Sequence, residues 1–97
     1  MANATIPLTA TVQVSAQQVS TELDGEMAIL SLENGVYYGL DPVGARIWEL
    51  LQEPQAVTAV RDRIVAEYEV SPEVCEADLL ALLGDLRAAG LVEVRDV

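Results

Sequence analysis

The 97-residue chain has the length of one domain, and 52% of it is apolar, enough for a modest core built without any Phe. Sixteen Asp and Glu against five Arg and no Lys give a formal charge of −11, which repels phosphate and argues against nucleic acid and anionic membranes as partners, while a neutral or basic peptide is favoured. The absence of His and Lys leaves no Ser–His or Cys–His pair and no Schiff-base lysine, and the single cysteine, Cys75, allows no intrachain disulfide and fits a reducing cytoplasm.

Residues 1–10 lack a cationic start and a long apolar run, so they read as a flexible tail rather than a signal peptide, with the folded domain over 11–97. No stretch of about 18 apolar residues is present to span a membrane. Asp24-Gly25 and Asn34-Gly35 both tolerate the positive φ angles of a two-residue type I′ hairpin. They separate three strand-like runs, Val19 to Leu23, Glu26 to Glu33 and Val36 to Leu40. In the second run Ala28, Leu30 and Leu32 alternate with Met27, Ile29 and Ser31; in the third, Val36, Tyr38 and Leu40 share a face opposite to Tyr37. A three-stranded antiparallel meander is expected, with Val12 and Val14 as candidates to extend it.

The second half predicts three helices. Asp41-Pro42 starts the first, as a capping carboxylate followed by a residue suited to the first turn, and its apolar stripe is Val43, Ile47, Leu50 and Leu51. Glu53-Pro54 ends it. The second runs from about Ala56 to Glu69 with Val57, Val60, Ile64 and Tyr68 inward. Ser71-Pro72-Glu73 starts the third, whose stripe is Cys75, Leu79, Leu82, Leu83 and Leu86, and Gly90 stops it. Leu91 to Val94 predicts a short final strand. The fold class is therefore α+β, winged helix-turn-helix-like, a three-stranded antiparallel sheet followed by three helices.

A winged helix suggests DNA, yet the last helix carries Glu73, Glu76, Asp78 and Asp85 against Arg87 alone, acceptors where phosphate anchoring needs donors. Carboxylate pairs such as Glu67 and Glu69 are expected by chance in so acidic a chain and read as a solvated face. An acyl carrier would need Asp-Ser-Leu at a helix start, and none occurs. No catalytic group, cofactor site or metal site is predicted, so the chain is not read as an enzyme.

The run Asn34-Gly35-Val36-Tyr37-Tyr38-Gly39-Leu40-Asp41, then Gly44-Ala45-Arg46-Ile47-Trp48-Glu49-Leu50-Leu51, resembles the pyrroloquinoline-quinone biosynthesis protein D family. Asp78-Leu79-Leu80 through Leu83, Leu86, Gly90 and Leu91 resembles the family's ending, and the likeness spans about residues 12 to 95. Gly39 departs from it, standing where a larger apolar residue is common; Asp41 stands where Asn is common. The resemblance implies a RiPP recognition element, which binds the leader segment of a ribosomally made precursor and presents it to modifying enzymes. It is most like the stand-alone leader-binding protein of split lasso-peptide systems, whose partners would be a leader peptidase and a macrolactam cyclase. It further implies that the leader adds as a strand to the edge of the third strand and lies against the last helix. The expected peptide-binding residues are Val36, Tyr37 and Tyr38 from the strand and Cys75, Asp78, Leu79, Leu82 and Asp85 from the helix. The alternatives are a peptide chaperone in pyrroloquinoline-quinone or radical-SAM peptide maturation, and a degenerate winged-helix regulator acting through protein contacts.

Overall fold

The structure, a computed structural model, describes residues 6–95, apart from the side chain of Leu23. Chain order among them is β1 (Thr11–Val14), β2 (Gln18–Leu23), β3 (Glu26–Ser31), β4 (Tyr37–Leu40), α1 (Pro42–Leu50), β5 (Gln55–Ala56), α2 (Val57–Tyr68), α3 (Pro72–Ala88) and β6 (Val92–Arg95). The expected meander is sheet β2-β3-β4, and the three helices follow it in the expected order, which makes the chain a winged helix-turn-helix-like α+β domain.

The two turns differ. Asp24 and Gly25 have φ of 56° and 82°, the pair of left-handed residues that a type I′ hairpin requires, and Leu23 pairs with Glu26 across them. The second turn corrects the expectation. Only Gly35 is left-handed (φ 73°), β3 stops at Ser31, and the loop 32–35 closes with the Ser31 N–H donating to the Val36 carbonyl at 2.8 Å. Asn34 is drawn elsewhere: its Oδ1 accepts from the Val36 N–H at 3.0 Å and its Nδ2 donates to the Ala89 carbonyl at 3.4 Å. The loop is thereby tied to the end of α3.

Val12 and Val14 do not extend the meander. They lie in a second sheet, β5-β1-β6, in which β1 pairs antiparallel with both neighbours. Ile6 and Ala10 are buried, so residues 6–10 are not tail; residues 1–5 of the expected tail lie outside the described residues. The reason is visible at the start of α2. Its N-cap, Ala56, offers no side-chain acceptor, and the free N–H groups of Val57 and Thr58 donate instead to the carbonyls of Ala10 (3.0 Å) and Leu8 (3.2 Å). The segment caps a helix.

The other helix ends follow from their residues. Asp41 accepts from the Gly44 N–H at 2.7 Å and Ser71 from the Val74 N–H at 3.2 Å. Gly90, at φ 76°, lets its own N–H reach the Arg87 carbonyl and that of Leu91 reach Leu86, the double bond of a Schellman stop. The core joins the inner face of β3 and β4 to all three helices through Ile29, Leu40, Trp48, Leu51, Ile64, Leu79 and Leu83. Arg46 bridges α1 to α2 by a two-pronged pair with Glu67, and Arg61 joins α2 to α3 through Glu76.

Candidate functional site

β4 lies at the edge of its sheet. In an antiparallel ladder, residues alternate between pairs that exchange both main-chain bonds and pairs that exchange none. Ser31 bonds to Val36, so counting along the register puts Ile29–Tyr38 and Met27–Leu40 among the bonded pairs, and Leu30–Tyr37 and Ala28–Gly39 among the others. The N–H and C=O of Tyr37 and Gly39 consequently face outward, and no strand among the described residues meets them. No proline or charge interrupts this edge. The free ribbon is shorter than the expected Val36 to Leu40, because both main-chain groups of Val36 are occupied within its own loop.

Beside the edge runs a cavity of about 570 Å³ between β4, the start of α1, the end of α2 and the N-terminal half of α3. Of the expected helix residues, Cys75, Asp78, Leu79 and Leu82 line it, with Tyr38 facing them from β4. Cys75 and Leu79 are nearly wholly buried and form its floor as part of the core. Val36, Tyr37 and Asp85 do not line it. Asp85 is linked instead through the Tyr38 hydroxyl, which donates to Oδ2 at 3.4 Å. Tyr37 is 70% exposed and projects from the other face of the sheet. The structure therefore gathers five of the eight expected residues around one groove, sets Asp85 beside it, and places Tyr37 on the opposite face.

Sequence reasoning missed the groove's open end. Val43, Tyr68, Val70 and Val74 line it, and each is more than a third exposed. Val43 and Tyr68 belong to apolar stripes expected to be core, and periodicity alone does not distinguish a helix face turned to core from one turned to a groove. A cluster of large apolar side chains left in water is the signature of a binding surface.

The groove's charge is one-sided. Asp41 and Asp78 are its acidic lining residues, and no basic residue joins them. Burial, and then the neighbouring Asp78, push the Cys75 thiol up from its ordinary value, which disfavours the thiolate. Burial and Asp85 likewise raise the Tyr38 phenol. Among the described residues no cluster of three or more His, Cys, Asp or Glu is placed to hold a metal, and no helix is long and apolar enough to cross a membrane.

Sheet, helices and their order define a small winged-helix-like domain with a bare sheet edge above an apolar groove. Residues 26–92 match the family described as Coenzyme PQQ synthesis protein D (PqqD), and the chain belongs to that family. Among solved structures it is similar to TbiB1, determined in complex with the TbiA(beta) leader peptide, at 41% identity, with a TM-score of 0.77 over 84% of this chain and 94% of that one. It shares its fold with the PqqD truncation of Methylobacterium extorquens PqqCD, described as a stand-alone RiPP recognition element, at 18% identity and a TM-score of 0.70, covering 86% and 88% of the two chains. No curated protein matches.

Proposed function

We propose that this chain is a non-catalytic RiPP recognition element of a lasso-peptide pathway. It binds the leader segment of a precursor peptide as an added strand on β4 and delivers it to a leader peptidase and a macrolactam cyclase in the cytoplasm. The observation that carries this reading is the pair of outward-facing peptide groups at Tyr37 and Gly39, directly above an apolar groove. Main-chain bonds along the edge supply affinity without regard to sequence, and side chains entering the groove supply selectivity.

Magnitudes are sufficient. Four ladder bonds at a net of about 0.5–1.5 kcal/mol each and two buried anchors at about 1.5–3 kcal/mol give a gross stabilisation of roughly 5–12 kcal/mol. Ordering the leader takes back part of it, so these contacts reach about micromolar affinity at the upper end of the range. The acidic rim selects leaders that carry Lys or Arg and speeds their approach. TbiB1, 41% identical and solved with a leader peptide, supports the reading.

Titration of the ¹⁵N-labelled protein with the leader of a precursor from the chain's own gene neighbourhood, and with a scrambled version, tests it. Saturable binding that moves the Tyr37 and Gly39 amides is expected for the leader alone. Equal affinity for the scrambled peptide, or shifts confined to other surfaces, would overturn the proposal. A leader from a pyrroloquinoline-quinone or radical-SAM pathway that binds more tightly would reassign the pathway and keep the mechanism.

A further inference from the structure

The loop that leads into the bare strand is closed by a convergence of bonds on residues 31–36. The Ser31 N–H donates to the Val36 carbonyl at 2.8 Å, and the Gly35 N–H to the Ser31 carbonyl at 2.9 Å. Asn34 supplies the rest. Its N–H reaches Ser31 Oγ at 3.4 Å, its Oδ1 accepts from the Val36 N–H at 3.0 Å, and its Nδ2 donates to the Ala89 carbonyl at 3.4 Å. One asparagine thus holds the start of β4 to the end of α3. The turn also needs Gly35, at φ 73°. Glycine puts no Cβ between its own nitrogen and the Asn34 side-chain amide, and residues 32–36 are exposed to water. The residue that makes the tie is followed by the neighbour that shields it least.

We propose that Asn34-Gly35 is a site of spontaneous deamidation and main-chain isomerisation that disarms the peptide-binding edge; its consequence for binding rests on the strand-addition reading above. Hydroxide takes the proton of the Gly35 N–H, and the nitrogen attacks Asn34 Cγ. An N–Cγ bond forms, the Cγ–Nδ2 bond breaks, and Nδ2 leaves as ammonia with a proton taken from water. A second water then opens the cyclic succinimide at either carbonyl, giving OH to the carbon and H to the nitrogen. The product is an aspartyl residue or an isoaspartyl residue, the latter with a main chain one methylene longer. The Val36 N–H, already donating to Oδ1, stabilises the charge that builds on that oxygen during the attack. The bond from Gly35 to Ser31 restrains the attacking nitrogen, so the loop opens locally first and the rate follows the opened fraction.

Either product removes the Nδ2 donor and with it the bond to Ala89. A carboxylate takes its place, facing a carbonyl that can only accept. Like charge is close by: a Cβ built on Gly90 would lie 3.6 Å from Asn34 Nδ2 and 4.0 Å from Glu33 Oε1. The isoaspartyl product does more. Its extra methylene lengthens a loop whose closure is set by the Ser31–Val36 and Asn34–Val36 bonds, and the pairing of Tyr37 with Leu30 begins one residue further on. The outward peptide groups of Tyr37 and Gly39 lose the fixed spacing from α3 that an incoming strand needs.

Incubation of the full chain in warm buffer at neutral and mildly alkaline pH, followed by peptide mass mapping, tests the site. Asn34 should exchange NH2 for OH well ahead of Asn3, the other asparagine, whose neighbour Ala4 hinders attack, and the rate should rise with hydroxide. Modified protein, separated by anion exchange, is compared with fresh protein for binding a peptide selected from an mRNA-displayed random library. The isoaspartyl form should melt lower and bind about tenfold more weakly. Fresh Asn34→Asp, which carries the charge without the longer main chain, should lose about twofold to threefold. Asn34→Ser still offers an oxygen to the Val36 N–H but has no amide to lose, and its affinity should survive the incubation. An intact Asn34 after incubation, isoaspartyl protein that binds like fresh protein, or Asn34→Ser losing affinity as fast as the parent would overturn the proposal. Isomerisation at Asn34 in a protein whose selected peptides move no β4 amide would uphold the modification and sink strand addition instead.

Discussion

The Tyr38 hydroxyl donates to Asp85 Oδ2 at 3.4 Å, joining β4 to the C-terminal half of α3 beside the groove. Burial first, then the Asp85 charge and this bond, raise the phenol above its ordinary value of 10.0. A raised tyrosine keeps its proton longer in the folded chain, so its contribution to stability is complete below pH 10 and fades as pH climbs through the folded value. Asp85→Asn should bring the Tyr38 titration back toward 10, read by absorbance of the phenolate against a Tyr38→Phe control. The bond is long and half open to water, so the loss of stability at neutral pH should stay below about 1 kcal/mol. An unchanged Tyr38 titration would show that burial alone sets it.

The alternation along β4 separates two prolines one residue apart. Tyr37→Pro removes an N–H that faces outward, so the fold should survive with a small change in melting temperature while leader affinity falls beyond detection. Tyr38→Pro removes an N–H bonded to β3 and should unfold the sheet. Circular dichroism melts with leader titrations check both. Retained leader binding by a folded Tyr37→Pro protein would contradict strand addition at this edge.

Leu79 and Val74 divide the groove into floor and mouth. Leu79 is 1% exposed within the core, and Leu79→Ala should destabilise the fold by about 2–5 kcal/mol. Val74, 56% exposed at the open end, has little to lose on folding. Val74→Ala should leave thermal stability unchanged within about 0.5 kcal/mol and weaken leader binding by roughly threefold to tenfold. Affinity unchanged in Val74→Ala would move the leader away from this end of the groove.

Local chemistry is where sequence and structure agree. Asp24-Gly25, Asp41-Pro42, Ser71-Pro72 and Gly90 each set a turn or helix end through dihedral or capping preferences that act within a few residues, and each is found as expected. Asn34-Gly35 has the same local preference as Asp24-Gly25, but its asparagine is recruited by the distant Ala89 carbonyl, a tertiary contact that no local rule contains. The two-residue β5 and its pairing with β1 are equally non-local. At the site, alternation and turn placement marked β4 as the last strand of the meander, whereas the α3 lining was named through the family resemblance and not by helical spacing. The roles of Tyr68 and Val43 were not legible, since an apolar stripe reads the same whether a core or a peptide covers it.

Glu67 makes acid stability a test of how the helices are held. Its carboxylate accepts from Arg46 Nε and Nη2, both at 2.9 Å, and from Arg63 Nε at 3.1 Å. The Arg46 bonds foremost, with Arg63 behind them, pull it from its ordinary 4.5 down to about 2. A carboxylate whose folded value is depressed contributes stability that is fully present above about pH 4.5 and is lost as pH falls toward 2. The group is open to solvent and salt weakens it further, so the effect should be larger at low ionic strength. Melting curves of the parent and of Glu67→Gln, collected between pH 6 and pH 2, should start apart and converge across that interval, because the variant lacks the titrating group. Curves that stay parallel down to pH 2 would mean that the α1–α2 contact rests on packing rather than on the Arg46–Glu67 pair.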